Sequence, residues 1–309
     1  MKKQDRFVGC LLGLALGDAL GAPMEFVKKS FNNSVVTSME KNPFNNYLKG
    51  FWTDDTSMAL CTAHSIIQER YFNLDDQMQN FVKWFRQGFL SSINVCFDIG
   101  DTVRASLEEY EETGQINTEV DPFDESLSNG SLMRLAPTPL FFYSDVDKAA
   151  QKSIASSLLT HKSKMCANAC ACLSTFITCS FHDHLTKFEL CADVIDYIES
   201  LFSEIGGWLL YVLNSKTQPN TEQHIGYVML SLQVALWAFL TTDNFRDGAI
   251  AAVNIGGDSD TYGAIYGQIA GAFYGYEHIA TTCSDWLEDL TQLQQVIDYG
   301  KILSDLARP

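Results

Sequence analysis

An all-α fold is predicted for this chain from three observations. Segments rich in Ala, Leu, Gln and Glu repeat apolar residues at three- and four-residue spacing, the period of a helix with one buried face. Alternating strand-like runs joined by hairpin signals are nearly absent. Two segments also carry glycine at every fourth position, which places the glycines on one face of a helix: Gly9, Gly13, Gly17 and Gly21, and Gly263, Gly267, Gly271 and Gly275.

The first glycine-striped segment predicts a helix that starts near the N-terminus. Glycine in a helix interior costs roughly 1 kcal/mol relative to alanine, so four in register need a reason. Close pairing of the two striped helices supplies one, and would bring their polar ends together. The apolar positions Met78, Phe81, Val82 and Phe85 predict a helix over 76–89. Leu190, Val194, Tyr197, Ile198 and Leu201 predict another over 188–202. Further helices are predicted over 227–240 and, as one long element, 285–306. Cys166, Cys170 and Cys172 alternate with Ala167, Ala169 and Ala171 in a small-residue helical run headed by Thr160 and His161. These cysteines read as reduced thiols in tight packing positions rather than as zinc ligands. No proline-rich linker or repeat marks a boundary, so one domain over 1–309 is expected.

Composition narrows the functional classes. The chain has 309 residues, 46% apolar and 19% charged, with a formal net charge of −17. A surface this acidic repels nucleic-acid phosphates and anionic lipid, so neither nucleic acid nor membrane is an expected partner. The N-terminal apolar stretch is interrupted by Asp18 and makes a poor signal peptide. No charge-free apolar run of about 18 residues has the flanks of a membrane span. The nine cysteines form no disulfide framework, and a cytoplasmic, reducing setting is expected.

Three acidic clusters stand at predicted helix boundaries: Asp18 to Glu25 around Gly21, Ala22 and Pro23; Thr53, Asp54, Asp55 and Thr56 after Trp52; and Asp258, Ser259, Asp260 and Thr261 after Gly256 and Gly257. In the third, the glycines allow a tight turn, and two carboxylates two residues apart can face one centre. The second repeats the arrangement. Such all-oxygen sets suit hard divalent cations, and two facing carboxylate pairs would hold two of them. The alternative for each cluster taken singly is a helix cap, with Thr53 or Thr56 capping a helix over 57–67. Asn129, Gly130, Ser131, Leu132, Met133 and Arg134 form a glycine-containing turn whose backbone N–H groups could cradle a phosphate, or simply an ordinary turn. His161 is either a structural hydrogen-bonder or a functional group.

Together these segments resemble the ADP-ribosylglycohydrolases, also called the dinitrogenase-reductase-activating-glycohydrolase-like family. Residues 9–26, the block from Trp52 to Thr56, 129–137, Thr160 with His161, and 256–275 follow the family's motifs in order, across about residues 7–276. The resemblance implies an all-α domain with a cleft holding two divalent metal ions, Mg²⁺ or Mn²⁺. It makes Thr53, Asp54, Asp55, Asp258, Asp260 and Thr261 the metal ligands. Glu25 matches the acidic residue beside the metals. Asn129, Gly130, Ser131 and Met133 match the loop that holds ADP-ribose, and His161 matches a histidine of that pocket. Tyr227 matches an aromatic that stacks on adenine; its alternative is a core tyrosine. The block Phe97, Asp98, Ile99, Gly100, Asp101 and Thr102 resembles one in the arginine-specific branch, where the first aspartate faces the scissile bond; Asp101 departs from the asparagine expected there. A carboxylate at Asp98 suits a guanidinium, with a surface or capping role as its alternative. The implied activity is hydrolysis of ADP-ribosylated protein side chains, arginine first, with Glu25, Asp98 and Asp55 as candidate catalytic residues. A cognate ADP-ribosyltransferase is an expected partner. Hydrolysis of serine- or threonine-linked ADP-ribose, or non-catalytic binding of an ADP-ribosyltransferase toxin in the manner of an immunity protein, are the alternatives.

Overall fold

The two glycine stripes lie against each other. A Cβ built on Gly9 would meet Gly271 O at 2.4 Å, on Gly13 Gly267 O at 2.3 Å, on Gly17 Gly263 O at 2.0 Å, and on Gly21 Ser259 O at 2.3 Å. The pairing runs antiparallel, and only hydrogen fits between the backbones. This computed structural model describes residues 1–25, 35–40, 49–182, 186–222 and 224–307.

Among the described residues the elements, in chain order, are α1 (Lys3–Gly21), a 3-10 turn (Ala22–Met24), α2 (Asp54–Glu69), α3 (Leu74–Gln87), α4 (Asp101–Thr113), α5 (Pro137–Phe141), α6 (Val146–Ser157), α7 (Lys164–Cys179), α8 (Lys187–Leu201), α9 (Ser203–Asn214), α10 (Val228–Thr241), α11 (Phe245–Val253), α12 (Ser259–Tyr274), α13 (Tyr276–Thr282), α14 (Ser284–Asp289) and α15 (Leu293–Leu306). The all-α prediction holds: the described residues contain no strand, only an isolated bridge between Ser128 and Tyr227.

Local chemistry sets several of these boundaries. Asn73 caps α3 by accepting from the Asp75 and Asp76 N–H groups, and Gly88 ends it at φ +68°. Thr186 and Glu189 form a capping box at the start of α8. The helix expected over 285–306 is two helices. Gln292 takes a left-handed conformation at φ +52°, and the Thr291 N–H donates to Gly50 O instead of continuing a helical ladder. The cysteine helix starts at Lys164 under a Ser163 cap, so Thr160 and His161 lie in the connection before it.

Helices α1 and α12 run through the core. The segment Lys3–Met24 is long and apolar enough to cross a membrane by length and composition, yet 94% of its apolar window is buried against the rest of the chain. At the N-terminal end of α1, the Arg6 guanidinium donates to Ala272 O and Phe273 O, where a cation complements the end of the α12 dipole. At the opposite end, Asp18 comes next to the start of α12. The apolar core thus delivers two acidic segments, distant in the chain, to one place.

Candidate functional site

Thr53 stands at the N-cap position of α2, but its side chain makes no cap hydrogen bond. The cap comes from α1. Asp18, fully buried, accepts from the Thr53 N–H (2.9 Å) and hydroxyl (3.0 Å), and from the Thr56 N–H (3.0 Å) and hydroxyl (2.5 Å). Its carboxylate therefore fixes the first turn of α2. Thr53 Oγ1 also lies 3.2 Å from Asp55 Oδ2 and 3.4 Å from Asp260 Oδ2. The two oxygen-rich segments converge: the paired glycine stripes bring the end of α1 to the start of α12, and Asp18 of α1 holds the start of α2 there.

Asp258 occupies the N-cap position of α12, again without a side-chain cap bond. Gly256 and Gly257 precede it at φ +89° and +97°, a conformation that favours glycine. Asn129 Nδ2 donates to Asp258 Oδ2 at 2.7 Å and to Ser231 Oγ at 2.9 Å, so the turn around Gly130 holds this carboxylate. Glu25, Asp258 and Asp260 offer carboxylate oxygens that all lie within 4.8 Å of one another.

Six carboxyl groups crowd this space, and among the described residues none is in an ion pair with Lys, Arg or His. Burial, and then their mutual repulsion, pushes Asp54, Asp55 and Asp260 well above the ordinary aspartate range. Asp258 is raised by burial. Burial lifts Asp18 to about 6 against the pull of its four hydrogen bonds. Glu25 is pushed up to about 12, by burial first and then by Asp260 and Asp98, whose carboxylate it hydrogen-bonds. Buried Asp55 Oδ1 has no hydrogen-bond partner. A buried, unpartnered carboxylate oxygen is costly, and a cluster of like charges without a counter-charge more so. This all-oxygen donor set, with the Thr53 and Thr261 hydroxyls and no Cys or His, fits hard divalent cations.

Above the acids opens a cleft of about 470 Å³. Glu25, Asp54, Asp98, Asn129, Gly130, Met133, His161, Asp258, Asp260 and Thr261 line it, while Thr53 and Asp55 lie buried beneath. Exposed Asp98, at φ +59° just before α4, stands at its mouth; Asp101 follows as the first residue of α4. The turn over 129–133 is held from behind: Gln268 of α12 donates to Met133 O at 2.7 Å, and the Asn129 N–H donates to Gly226 O at 3.0 Å. His161 is fully buried against this turn, with Nε2 2.9 Å from Ser128 Oγ and Nδ1 2.8 Å from Thr160 Oγ1. Burial, with Arg134 and Lys162 nearby, lowers it to about 3, so it is neutral at physiological pH.

Besides Thr53 and Asp55, two sequence-predicted residues, Ser131 and Tyr227, do not line this cleft. Ser131 turns its hydroxyl inward, accepting from Ser157 Oγ at 2.8 Å near Cys170; only its backbone can face a ligand. Tyr227 lines an adjoining recess with Trp208, His224 and Met165, its hydroxyl 3.0 Å from Met165 Sδ. Residue 26, the last of the first motif, lies outside the described residues. The sequence marks Asp18 only as a member of the first acidic cluster; its part in fixing α2 is visible only in the fold, although an aspartate inside an apolar glycine-striped helix is a signal. Ser128 carries no signal in the sequence, and Thr102 and Arg134 stand there only as members of their motifs.

A sequence profile described as ADP-ribosylglycohydrolase matches residues 1–308. The chain is 32% identical over 307 residues to the ADP-ribosylarginine hydrolase Tri1 of Serratia proteamaculans, covering 98% of this chain and 80% of that one. It is 28% identical over 293 residues to the ADP-ribosyl-[dinitrogen reductase] glycohydrolase of Rhodospirillum rubrum, covering 93% and 90%. A solved structure titled as an ADP-ribosylglycohydrolase-related protein complex superposes with a TM-score of 0.82 at 32% identity, covering 99% of both chains. With a profile match over nearly its whole length and the two acidic helix ends converging in one cleft, this chain belongs to the ADP-ribosylglycohydrolase family.

Proposed function

We propose that this protein hydrolyses the C1″–N bond between ADP-ribose and arginine side chains of modified proteins, with two divalent cations, Mg²⁺ or Mn²⁺, held by Thr53, Asp54, Asp55, Asp258, Asp260 and Thr261. The observation that carries this reading is the convergence of the Thr53–Asp55 and Asp258–Thr261 oxygens beneath a cleft with the exposed carboxylate of Asp98 at its mouth. The name of the Serratia relative, an ADP-ribosylarginine hydrolase, supports arginine as the linkage.

Bound there, the cations would orient the ribose diol and supply Lewis acidity that lowers the pKa of a water. The chain's own groups do the rest. Asp98 accepts paired N–H bonds from the guanidinium and holds the leaving group. Glu25 and Asp98 both line the cleft, which puts an acid and a base on the same wall for delivery to the departing nitrogen and removal from the incoming water. Asp55 adds a carboxylate beneath C1″. The backbone of the 129–133 turn faces the phosphates, and the adenine stacks on Tyr227 in the adjoining recess. The reaction adds OH to C1″ and returns the proton to the guanidino nitrogen, releasing ADP-ribose and unmodified arginine. An ADP-ribosyltransferase that installs this mark is the matching partner.

The test is release of free ADP-ribose from arginine-linked and serine-linked substrates, each with chelator and with added Mg²⁺ or Mn²⁺. Metal-dependent release from arginine is expected, and Asp98→Ala should lower it by about 10–100-fold while ADP-ribose binding persists, the worth of a lost charge-assisted pair. Equal or faster release from serine, or an unimpaired Asp98→Ala enzyme, would contradict the reading. A second expectation concerns Asp18, which is buried and does not line the cleft. Asp18→Asn turns an amide N–H toward donors it must accept from, so α2 loses its first turn. Mn²⁺ affinity, measured by titration calorimetry, should fall by about 10–100-fold, as for residues that orient metal ligands.

A further inference from the structure

Behind the cleft wall lies a buried cation that the chemistry above does not use. Arg134 is 1% exposed. Its guanidinium donates to Gly130 O at 2.8 Å and to Thr160 Oγ1 at 2.8 Å, and its carbon lies 4.8 Å from the centre of the Phe81 ring. No carboxylate forms an ion pair with it among the described residues. From Thr160 a line of hydrogen bonds leads to the cleft: Thr160 Oγ1 to His161 Nδ1 at 2.8 Å, His161 Nε2 to Ser128 Oγ at 2.9 Å, and Ser128 Oγ to Thr102 Oγ1 at 3.2 Å. His161, Ser128 and Thr102 all line the cleft.

The direction of this line follows from donor counting. A guanidinium can only donate, so Thr160 Oγ1 accepts from Arg134. A hydroxyl has one proton, and the available acceptor for it is His161 Nδ1. A neutral imidazole with Nδ1 accepting carries its proton on Nε2, which donates to Ser128 Oγ. Ser128 then passes its own proton to Thr102 Oγ1. With that oxygen already accepting, the Thr102 hydroxyl proton is left to point at whatever occupies the cleft.

We propose that Arg134 is a positioning residue that sets the polarity of the Thr160–His161–Ser128–Thr102 chain, so that the Thr102 hydroxyl is presented to the ligand as a donor. The matching ligand group is an acceptor-only oxygen such as those of a pyrophosphate; this assignment rests on the ADP-ribose reading above, whereas the direction of the chain does not. The burial that keeps His161 neutral agrees with it, since an imidazolium would have no accepting nitrogen for Thr160. The arrangement also gives Arg134 two linked tasks, because the same guanidinium anchors Gly130 in the turn that carries Asn129.

The experiment has two arms on the full chain. In the first, ¹⁵N chemical shifts of the His161 ring at neutral pH, in ligand-free protein, report which nitrogen carries the proton. The Nε2–H tautomer is expected; Nδ1–H or an imidazolium would overturn the proposal whatever the ligand is. In the second, ADP-ribose affinity is measured by calorimetry in the presence of Mg²⁺ for Thr160→Val, Thr102→Val and the double variant. Each single change should weaken binding about tenfold, the worth of one polar contact, and the double variant should be no weaker than either alone. Thr160→Ser, which keeps the hydroxyl, should restore both affinity and tautomer. Additive losses, or none, would overturn the proposal. If wild-type protein shows no ADP-ribose binding while the tautomer is as expected, the ligand reading fails and the chain stands.

Discussion

Asp260→Asn is expected to reduce metal-dependent ADP-ribose release by at least about 10³-fold, because charge stabilisation worth several kcal/mol converts at 1.36 kcal/mol per factor of ten. The same change should make the metal-free protein more stable at pH 8. Without cations, Asp18, Glu25, Asp54, Asp55, Asp258 and Asp260 hold their protons more tightly in the folded chain than in the unfolded one. Stability carried by such groups is present below the unfolded value, 3.8 for an aspartate, and is lost as pH rises through about 6 for Asp18 and further for its neighbours. Metal-free wild type should therefore melt at lower temperature at pH 8 than at pH 5, and Asp260→Asn should narrow that gap. Added Mg²⁺ or Mn²⁺ should raise the wild-type melting temperature most at pH 8, where protons compete least for the ligands. Calorimetric scans at the two pH values, with and without metal, check all three. A variant that loses activity yet shows the full wild-type pH dependence would separate the carboxylate's role from its charge.

Gly267→Ala is expected to give one of the larger losses of stability among glycine-to-alanine changes in the chain. The new Cβ would fall 1.9 Å from Gly13 O and 2.3 Å from Gly13 C, backbone atoms of a buried helix that cannot turn aside. Overpacking of this kind costs about 3 kcal/mol or more when the neighbour is rigid; for a chain of this size that is a fall of roughly 5 °C in melting temperature. The damage should reach the site, because α1 carries Asp18 and α12 carries Asp260 at the ends of the same contact. Mn²⁺ affinity should drop together with melting temperature. Gly114→Ala is the control: a Cβ there meets nothing within 4 Å, so the cost is limited to its left-handed φ of +66°, and metal affinity should not move.

The site's outline was legible because carboxylates in an otherwise apolar setting are conspicuous. Glycine at four-residue spacing on two segments has little use except close approach, and the pairing of α1 with α12 bears that out. The predicted helices over 76–89, 188–202 and 227–240 fall within two residues of α3, α8 and α10. The break between α14 and α15 was not legible, since the apolar period continues through Leu290, Leu293 and Val296 while the interruption comes from Gly50, far away in the chain. The part of Asp18 in fixing α2 escaped for a similar reason. Capping rules read the residues next to a helix, whereas this cap reaches α2 from 35 positions earlier. On the 129–133 turn, packing against Ser157 and Cys170 decides that Ser131 faces inward, and no local pattern encodes it. Arg134 looked like the tail of a turn motif; its function depends on Thr160, which only the folded chain brings near.

The most direct test is an anomalous difference map from crystals grown with Mn²⁺. Two peaks are expected between the start of α2 and the start of α12, each within about 2.2 Å of carboxylate oxygens, drawn from Asp54, Asp55, Asp258 and Asp260, with Asp55 Oδ1 newly ligated. A map without a peak there at saturating Mn²⁺, or with its peaks elsewhere on this acidic surface, would contradict the account.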